Sequence, residues 1–467
     1  MGRKMKAFGL EALKIFDINA KGMGVGKDEG RVFFVPDTVP GDVVSATAYR
    51  KRRGYWEARL EKIKKPSPNR VNAPCDYFGL CGGCKWQHLD YQSQLQFKEK
   101  EVTHNLTHIG KVTPKEKYPI VAAPADYYYR NKMEFSFSSQ RWLTSEEINS
   151  EGAIERRGVG FHKPGMWDKV VDIHHCHLQA DPSNAIRNFI RSYALEHNLS
   201  FFNPREQEGF LRTLMIRTTS TGEIMVLLQF FYEAINDREP LLQALLNKFP
   251  TINCLLYCIN SKANDSLYDQ KIIAHTERTY IEEKMGDLTF QISAKSFYQT
   301  NSEQAEKLYS LVKDFAQLQP NEIVYDLYTG TGTIAQYVAD QCAKVIGIES
   351  VPDAIKAAKA NALNNGISNV SFEVGDMKDC FDKNFIERHG KAQVVITDPP
   401  RNGMHPKVVA QLMELAPERI VYVSCNSATQ ARDLALMKEK YQLVKSQAVD
   451  LFPQTHHVEN IVLLQHL

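Results

Sequence analysis

Long apolar runs are missing from this chain. No stretch of its 467 residues approaches the roughly 20 apolar residues a membrane-spanning helix needs. The charged start Met1-Gly2-Arg3-Lys4-Met5-Lys6 leads into no signal-type apolar segment. The expected setting is the cytoplasm, with no membrane partner. Cysteine is scarce as well, nine residues in all, which is too few for a secreted disulfide scaffold. Charge is nearly balanced at a net +2, so bulk electrostatics selects no partner. The diphosphate-binding pattern Gly-x-Gly-x-x-Gly and the radical-enzyme spacing Cys-x3-Cys-x2-Cys are both absent.

What is present describes an ordinary globular protein, 43% hydrophobic and 24% charged. Its length suggests about three domains at roughly 100–200 residues each. Residues 1–65 read as short strands broken by turns: the glycine-rich Asn19–Gly26, the strand Arg31–Val35, the turn Val39–Asp42 and the strand Val43–Tyr49. A small β-barrel of the oligonucleotide-binding type fits that pattern. Between Arg50 and Arg70 stand nine basic residues against Glu57 and Glu61, with Tyr55 and Trp56 among them. Basic side chains with interleaved aromatics suit a phosphate backbone whose bases stack, although a solvated basic surface reads the same way. Lys64–Arg70 has the composition of a linker. Residues 66–300 mix strands and helices in an α+β manner.

From about residue 318 strands alternate with helices, so residues 301–467 are expected to form an α/β doubly wound, Rossmann-like parallel sheet. Ligands of such sheets bind beyond the carboxyl ends of the strands. The first strand ends in Asp326-Leu327-Tyr328 and enters the turn Thr329-Gly330-Thr331-Gly332-Thr333. Glu349 closes the next strand, 19 residues after Gly330, where a carboxylate accepts from ribose hydroxyls. A nucleoside cofactor without phosphates, such as S-adenosylmethionine, fits this loop better than a dinucleotide. Asp376 closes the following strand and reads equally as a contact for adenine or as a helix N-cap.

Three further motifs stand in order: Asp398-Pro399-Pro400-Arg401-Asn402-Gly403, Tyr422-Val423-Ser424-Cys425-Asn426, and Asp450-Leu451-Phe452-Pro453-Gln454-Thr455-His456-His457-Val458-Glu459. With Ser296-Phe297-Tyr298-Gln299-Thr300-Asn301 and Asp326-Leu327-Tyr328, they resemble the motifs of the RNA uracil-5-methyltransferase family. The resemblance implies a class I methyltransferase domain that transfers a methyl group from S-adenosylmethionine to carbon 5 of uracil. It implies Cys425 as nucleophile, Glu459 as general base, and Gln299, Tyr328, Glu349 and Asp398 as cofactor contacts. The chemistry agrees: carbon 5 is a poor nucleophile until a thiolate adds to carbon 6, and a base must then take the carbon 5 proton. Arg401 is a candidate to stabilise the thiolate. Family members often carry cysteine at Thr329 and proline at Ser427, neither of which is a reacting group.

Cys75, Cys81 and Cys84 crowd together, and a tight group of this kind points to metal or cluster binding. With Cys176 the set comprises four thiolates, which suit a [4Fe–4S] cluster or zinc. The branch of the family acting on 23S ribosomal RNA carries an iron–sulfur cluster on such cysteines and an N-terminal TRAM barrel, so the resemblance implies both here. His174, His175 and His177 keep zinc open. Arg130, Lys132 and Arg212 are candidates for the RNA path or for structural ion pairs. Two alternatives remain: the same reaction on a transfer-RNA uridine, and a non-catalytic RNA-binding ribosome-assembly factor. A DNA cytosine methyltransferase would place its nucleophile after proline, which Cys425 does not follow. A monomer is expected.

Overall fold

The computed structural model describes residues 7–467; the charged start Met1–Lys6 lies outside them. Five strands come first: β1 (Phe8–Ile18), β2 (Gly24–Asp28), β3 (Arg31–Val35), β4 (Val43–Lys51) and β5 (Trp56–Lys65). They close into a barrel in the order β1-β2-β3-β5-β4. Successive side chains of a strand face opposite sides, so alternate residues fill the interior, among them Leu13, Ile15, Phe33, Val35, Val44, Ala46 and Trp56. Much of the basic run therefore lies on the outward side of β4 and β5, where Arg52 pairs with Glu57, Arg59 with Glu61 and Lys64 with Glu11.

The stretch with linker composition is not free. β5 runs through Lys65, Ser67 N donates to buried Asp42 at 2.9 Å, and Arg70 pairs with Asp42 at 2.6 Å. Composition registers prolines and lysines but not a buried carboxylate collecting donors from 25 or more residues away. Gly41 makes the crossing possible: at φ +97°, a Cβ there would meet the Ser67 hydroxyl at 2.6 Å.

A helix over Tyr91–Asn105 leads to β6 (Glu116–Val121). Next come β7 (Lys132–Ser138), β8 (Gly158–His162), β9 (Val170–Asp172), β10 (Leu211–Thr218), β11 (Ile224–Phe230), β12 (Cys254–Ile259) and β13 (Ile273–Ala274). These seven form one sheet, ordered β13-β12-β11-β10-β7-β8-β9. Its core includes Ile186 and Ile190 of the helix Ser183–Glu196 and Leu241, Leu242 and Leu245 of the helix Ile235–Lys248. A hairpin of β14 (Tyr280–Met285) and β15 (Leu288–Ser293) follows.

The remaining strands are β16 (Ile323–Leu327), β17 (Lys344–Glu349), β18 (Val370–Val374), β19 (Val394–Thr397), β20 (Arg419–Ser424), β21 (Tyr441–Val449) and β22 (Glu459–His466). With β6 they form an eight-stranded sheet ordered β18-β17-β16-β19-β20-β22-β21-β6. The first five run parallel. The central β16, β19 and β20 are largely buried and mostly apolar, as strands covered on both faces must be, whereas the edge strand β18 carries Ser371 and Glu373. The sheet is mixed rather than wholly parallel. β22 is antiparallel to both neighbours, and the edge strand β6 comes from residues 116–121, far from the others in sequence. Alternation along a strand predicts a face but not a partner.

No helix among the described residues is long and apolar enough to cross a membrane.

Candidate active site

Strand polarity assembles the site. Parallel strands β16, β17, β18, β19 and β20 all point their carboxyl ends to one edge, where Tyr328, Glu349, Asp376, Asp398 and Cys425 lie just at or past the strand ends. Because β22 is antiparallel to β20, its first residue, Glu459, reaches the same edge, and Ser424 pairs with Asn460. Residues more than a hundred positions apart thus meet at one place.

On the cofactor side, the turn after β16 is strained. Tyr328 holds φ +64°, a conformation rare for a side chain of its size, and such strain clusters at functional sites. Gly332 is required, since a Cβ there would stand 2.7 Å from the Phe372 ring. Glu349 accepts from Gly330 N at 3.2 Å and Val351 N at 3.0 Å, which fixes the carboxylate beside the turn. Asp326 is fully buried; one oxygen accepts from Ala335 N at 3.1 Å, and the other has no protein partner. Burial pushes its carboxyl up to about 7. Asp398 is likewise pushed up to about 7 by burial, with Asp326 adding to it.

Gln299 is buried in the loop after β15, where Asn131 Nδ2 donates to its carbonyl at 2.9 Å. Arg217 of β10 donates to Ser296 O at 2.6 Å, so the seven-stranded sheet props this loop. Asp376 is exposed and caps the helix Met377–Cys380, accepting from Lys378 N at 3.2 Å. Its N-cap role is therefore visible. Its field still reaches Tyr328, so it flanks the same edge.

At the reacting end, Cys425 is half-buried and Glu459 is only 4% exposed. Burial pushes the Cys425 thiol up to about 11; Glu459 and Asp398 add to that, and Arg401 opposes it. Burial also holds the Glu459 carboxyl well above the usual carboxylate range, with Asp398 adding and Arg401 opposing. One guanidinium therefore stands among three groups that all resist ionising. Asn426 Nδ2 and Thr429 Oγ1 donate to the Arg401 carbonyl at 3.0 and 3.1 Å, tying the β19 loop to the β20 loop.

Several contributors escape a motif reading. Arg401 Nη2 reaches His457 Nδ1 at 2.6 Å, and only the packing of two loops brings that pair together. Tyr309, in the helix Ser302–Ala316, lies buried beside Asp398 and Gln299. Lys98 and Asp450, both with wholly buried side chains, pair at 2.6 Å, and Lys98 also donates to Phe452 O at 3.1 Å. The segment before Glu459 is thus bolted to the helix Tyr91–Asn105. Hydroxyl groups supply two more anchors: Tyr91 donates to Asp450 at 3.1 Å and Tyr129 to Pro453 O at 3.0 Å.

The four cysteines Cys75, Cys81, Cys84 and Cys176 line one cavity of about 150 Å³. Burial pushes Cys81 up to about 11 and Cys84 up to about 12. Among the described residues no group of three or more His, Cys, Asp or Glu side chains is arranged to hold a metal ion. His175 and His177 share the cavity wall, and one ring nitrogen of each, Nε2 of His175 and Nδ1 of His177, meets the Tyr128 hydroxyl at 3.2 and 2.9 Å. The cavity adjoins the catalytic segment, because Lys85 N and Trp86 N both donate to Gln454 O, at 2.8 and 3.1 Å.

Of the proposed RNA contacts, Arg212 is structural. It is 3% exposed, donates to Asn260 O at 2.7 Å and Lys262 O at 2.6 Å, and lies against the Phe202 and Phe231 rings. Lys132 pairs with Glu134 at 2.6 Å. Arg130 sits over the Phe452 ring at 5.9 Å, near the catalytic segment.

The family profile described as tRNA (Uracil-5-)-methyltransferase matches residues 213–467, more than half of the chain. This chain belongs to that family. A family relative from Porphyromonas gingivalis, named an uncharacterized RNA methyltransferase, is 52% identical over 97% of this chain and 99% of its own. A Bacteroides thetaiotaomicron protein of the same name is 50% identical over 96% of this chain and 99% of its own. Among solved structures, the Pyrococcus abyssi tRNA (uracil-54, C5)-methyltransferase in complex with S-adenosyl-L-homocysteine matches with a TM-score of 0.75 and 28% identity, covering 97% of this chain and 100% of that one. The protein is an S-adenosylmethionine-dependent RNA methyltransferase, and its C-terminal sheet is of the Rossmann-like class I type.

Proposed function

We propose that the protein methylates carbon 5 of a uridine in 23S ribosomal RNA, with Cys425 as nucleophile and Glu459 as general base. The observation that supports the chemistry of this reading is the meeting of Cys425, Glu459, Asp398 and Arg401 at one strand edge. The choice of 23S RNA rests on the resemblance of the barrel and cysteine set to that branch of the family. Gln299, Tyr328, Glu349, Asp376 and Asp398 would hold S-adenosylmethionine, which supplies the methyl group as an electrophile. The buried Asp326–Asp398 pair offers negative charge to a sulfonium cation, and the unpartnered Asp326 oxygen fits a ligand polar group.

The target base must leave its stack to enter the pocket. Arg401 favours the thiolate form of Cys425, whose sulfur adds to uracil carbon 6 and makes carbon 5 nucleophilic. After carbon 5 has accepted the methyl group, Glu459 takes its proton. The electron pair rebuilds the 5,6 double bond and expels the thiolate. A carboxyl with raised proton affinity is suited to that task.

Cys75, Cys81, Cys84 and Cys176 would hold a [4Fe–4S] cluster. Support comes from four thiols on one cavity wall. The cluster would brace the loop that Lys85 and Trp86 share with the catalytic segment. We read residues 1–65 as a TRAM-like RNA-binding barrel, 66–300 as the cysteine-bearing central domain and 301–467 as the methyltransferase domain.

A transfer-RNA target is the second reading. The P. abyssi protein acts on tRNA and matches 97% of this chain, so most of the barrel is shared and does not separate the two RNAs. Anaerobically purified protein is incubated with labelled S-adenosylmethionine and either unmodified 23S RNA or tRNA, beside Cys425→Ala. Transfer to uridine in 23S RNA alone, lost in the variant, is the expected result. Transfer to tRNA alone overturns the substrate, and transfer to neither overturns the reading.

A further inference from the structure

The turn between β8 and β9 projects beside the cysteine loop. A Cβ on Gly82 would stand 3.2 Å from His162 O and 3.6 Å from Pro164, so the two loops touch. The cysteine loop continues into Lys85, whose N–H donates to Gln454 O in the segment carrying His457 and Glu459. A chain of contacts therefore joins the catalytic segment, through the loop carrying Lys85, to the turn carrying Lys163. Charge follows the same line, since the fields of Arg70, Lys85 and Lys163 all reach Asp37 of the barrel.

Two tryptophans lie at the far end. The Lys163 ammonium stands over the Trp142 ring at 4.5 Å, and the Arg205 guanidinium over Trp167 at 5.6 Å. Trp167 is 63% exposed, so its ring does little for the core. Beside it opens a cavity of about 180 Å³ whose lining includes Ser136, His162, Gln207 and Asn264. Arg205 is itself held by Asp168 at 2.6 Å, and Asp168 and Asp265 also line the recess, so Lys163 is the cation offered to a phosphate. A flat exposed ring, a nearby ammonium and a recess with donors and acceptors match the parts of a single-stranded RNA site: stacking for the base, charge for the phosphate, hydrogen bonds for the base edge.

We propose that single-stranded RNA flanking the target uridine runs over Lys85 and Lys163 and stacks one unpaired base on Trp167, its edge in the adjoining cavity. This rests on the reading of the protein as an RNA methyltransferase and extends it to how the substrate is gripped outside the pocket.

Full-length Trp167→Ala and Lys163→Ala are compared with wild type by fluorescence anisotropy on labelled, unmodified 23S fragments and tRNA transcripts, and by methyl-transfer kinetics. Thermal unfolding checks the fold, and Trp167→Phe, which keeps a stacking ring, is the rescue variant. Trp167→Ala is expected to raise the RNA Kd and KM about 10-fold with kcat unchanged, and Trp167→Phe to restore most of the loss. Lys163→Ala is expected to lower the salt slope of binding by about one. Wild-type RNA affinity in folded Trp167→Ala overturns the proposal while leaving the methyltransferase reading intact, and the surface would then suit a protein partner. Wild-type protein that methylates neither RNA overturns that reading instead, whereas Trp167-dependent binding in the same samples would still support the surface.

Discussion

Cys425 and Cys84 are thiols of the same chain that burial pushes up in similar measure, to about 11 and about 12. Their neighbours differ. Cys425 faces an arginine and two carboxyl groups of perturbed proton affinity, whereas Cys84 faces three more thiols. Burial alone makes a cysteine inert; the groups around it decide whether it reacts or ligates. The first setting mixes charge signs, as proton transfer requires, and the second repeats one donor type. The two regions also touch, through Lys85, Trp86 and Gln454.

The sharpest break of that comparison is to remove each sulfur. Cys425→Ala is expected to abolish methyl transfer, to below about one ten-thousandth of wild type, with S-adenosylmethionine binding and iron content unchanged. If the proposed cluster is present, Cys84→Ser is expected to do the reverse, losing its iron and lowering the melting temperature while retaining measurable transfer. Iron analysis, calorimetry and labelled-methyl assays on both variants decide it. Equal loss of iron in the two would dissolve the distinction.

Glu459→Gln tests whether the mixed-charge setting works in two steps. Addition and methylation need the thiol, but release needs the base, so turnover is expected to fall by about 10² to 10⁴. A protein–RNA adduct stable to denaturing gels should accumulate. Lys98→Met probes the brace rather than the chemistry. Removing one partner of a fully buried ion pair costs about 3–5 kcal/mol, because Asp450 is left uncompensated. A loss of stability much below that would mean the pair does not anchor the catalytic segment.

Arg401→Met separates Cys425 from the cysteine set more finely. Arg401 pulls the thiol down, so its removal raises the thiol further. The thiolate fraction grows with pH up to the pKa of the thiol. The variant should therefore be slower at each pH below that point, by about tenfold for every pH unit its rising limb moves upward. Single-turnover rates between pH 7 and 10 measure this, and an unmoved limb would remove Arg401 from the activating role.

How much of this was legible in the sequence follows from what each feature depends on. The strand–helix alternation and the turn at Gly330 and Gly332 are local, so the class of the C-terminal sheet and the position of Glu349 could be read directly. Cys425, Asp398 and Glu459 were marked by motifs, but their convergence depends on β22 running against β20. The Lys98–Asp450 pair joins positions 352 residues apart, and β6 joins a sheet whose other strands begin after residue 320; no local pattern announces either. Arg212 looked available for RNA because charge is visible in sequence, whereas its two carbonyl acceptors are not.

The smallest expected effect concerns the cofactor side of the catalytic region and has no counterpart at the cysteines. Asp326 and Asp398 are both pushed up to about 7 in the folded protein, whereas carboxyls of this kind in an unfolded chain titrate near about 4. Between those values the folded state binds more protons than the unfolded one. Stability should therefore fall as pH rises from about 4 to about 7, the reverse of a salt-bridged carboxylate. S-adenosylmethionine carries a positive sulfonium and S-adenosylhomocysteine does not, so the former should recover more of the loss at pH 7.5 than at pH 5. Melting temperatures of the ligand-free protein and of both complexes across that range test the sign. Equal recovery by the two ligands would mean that the carboxyl pair does not sense the charge of the methyl donor.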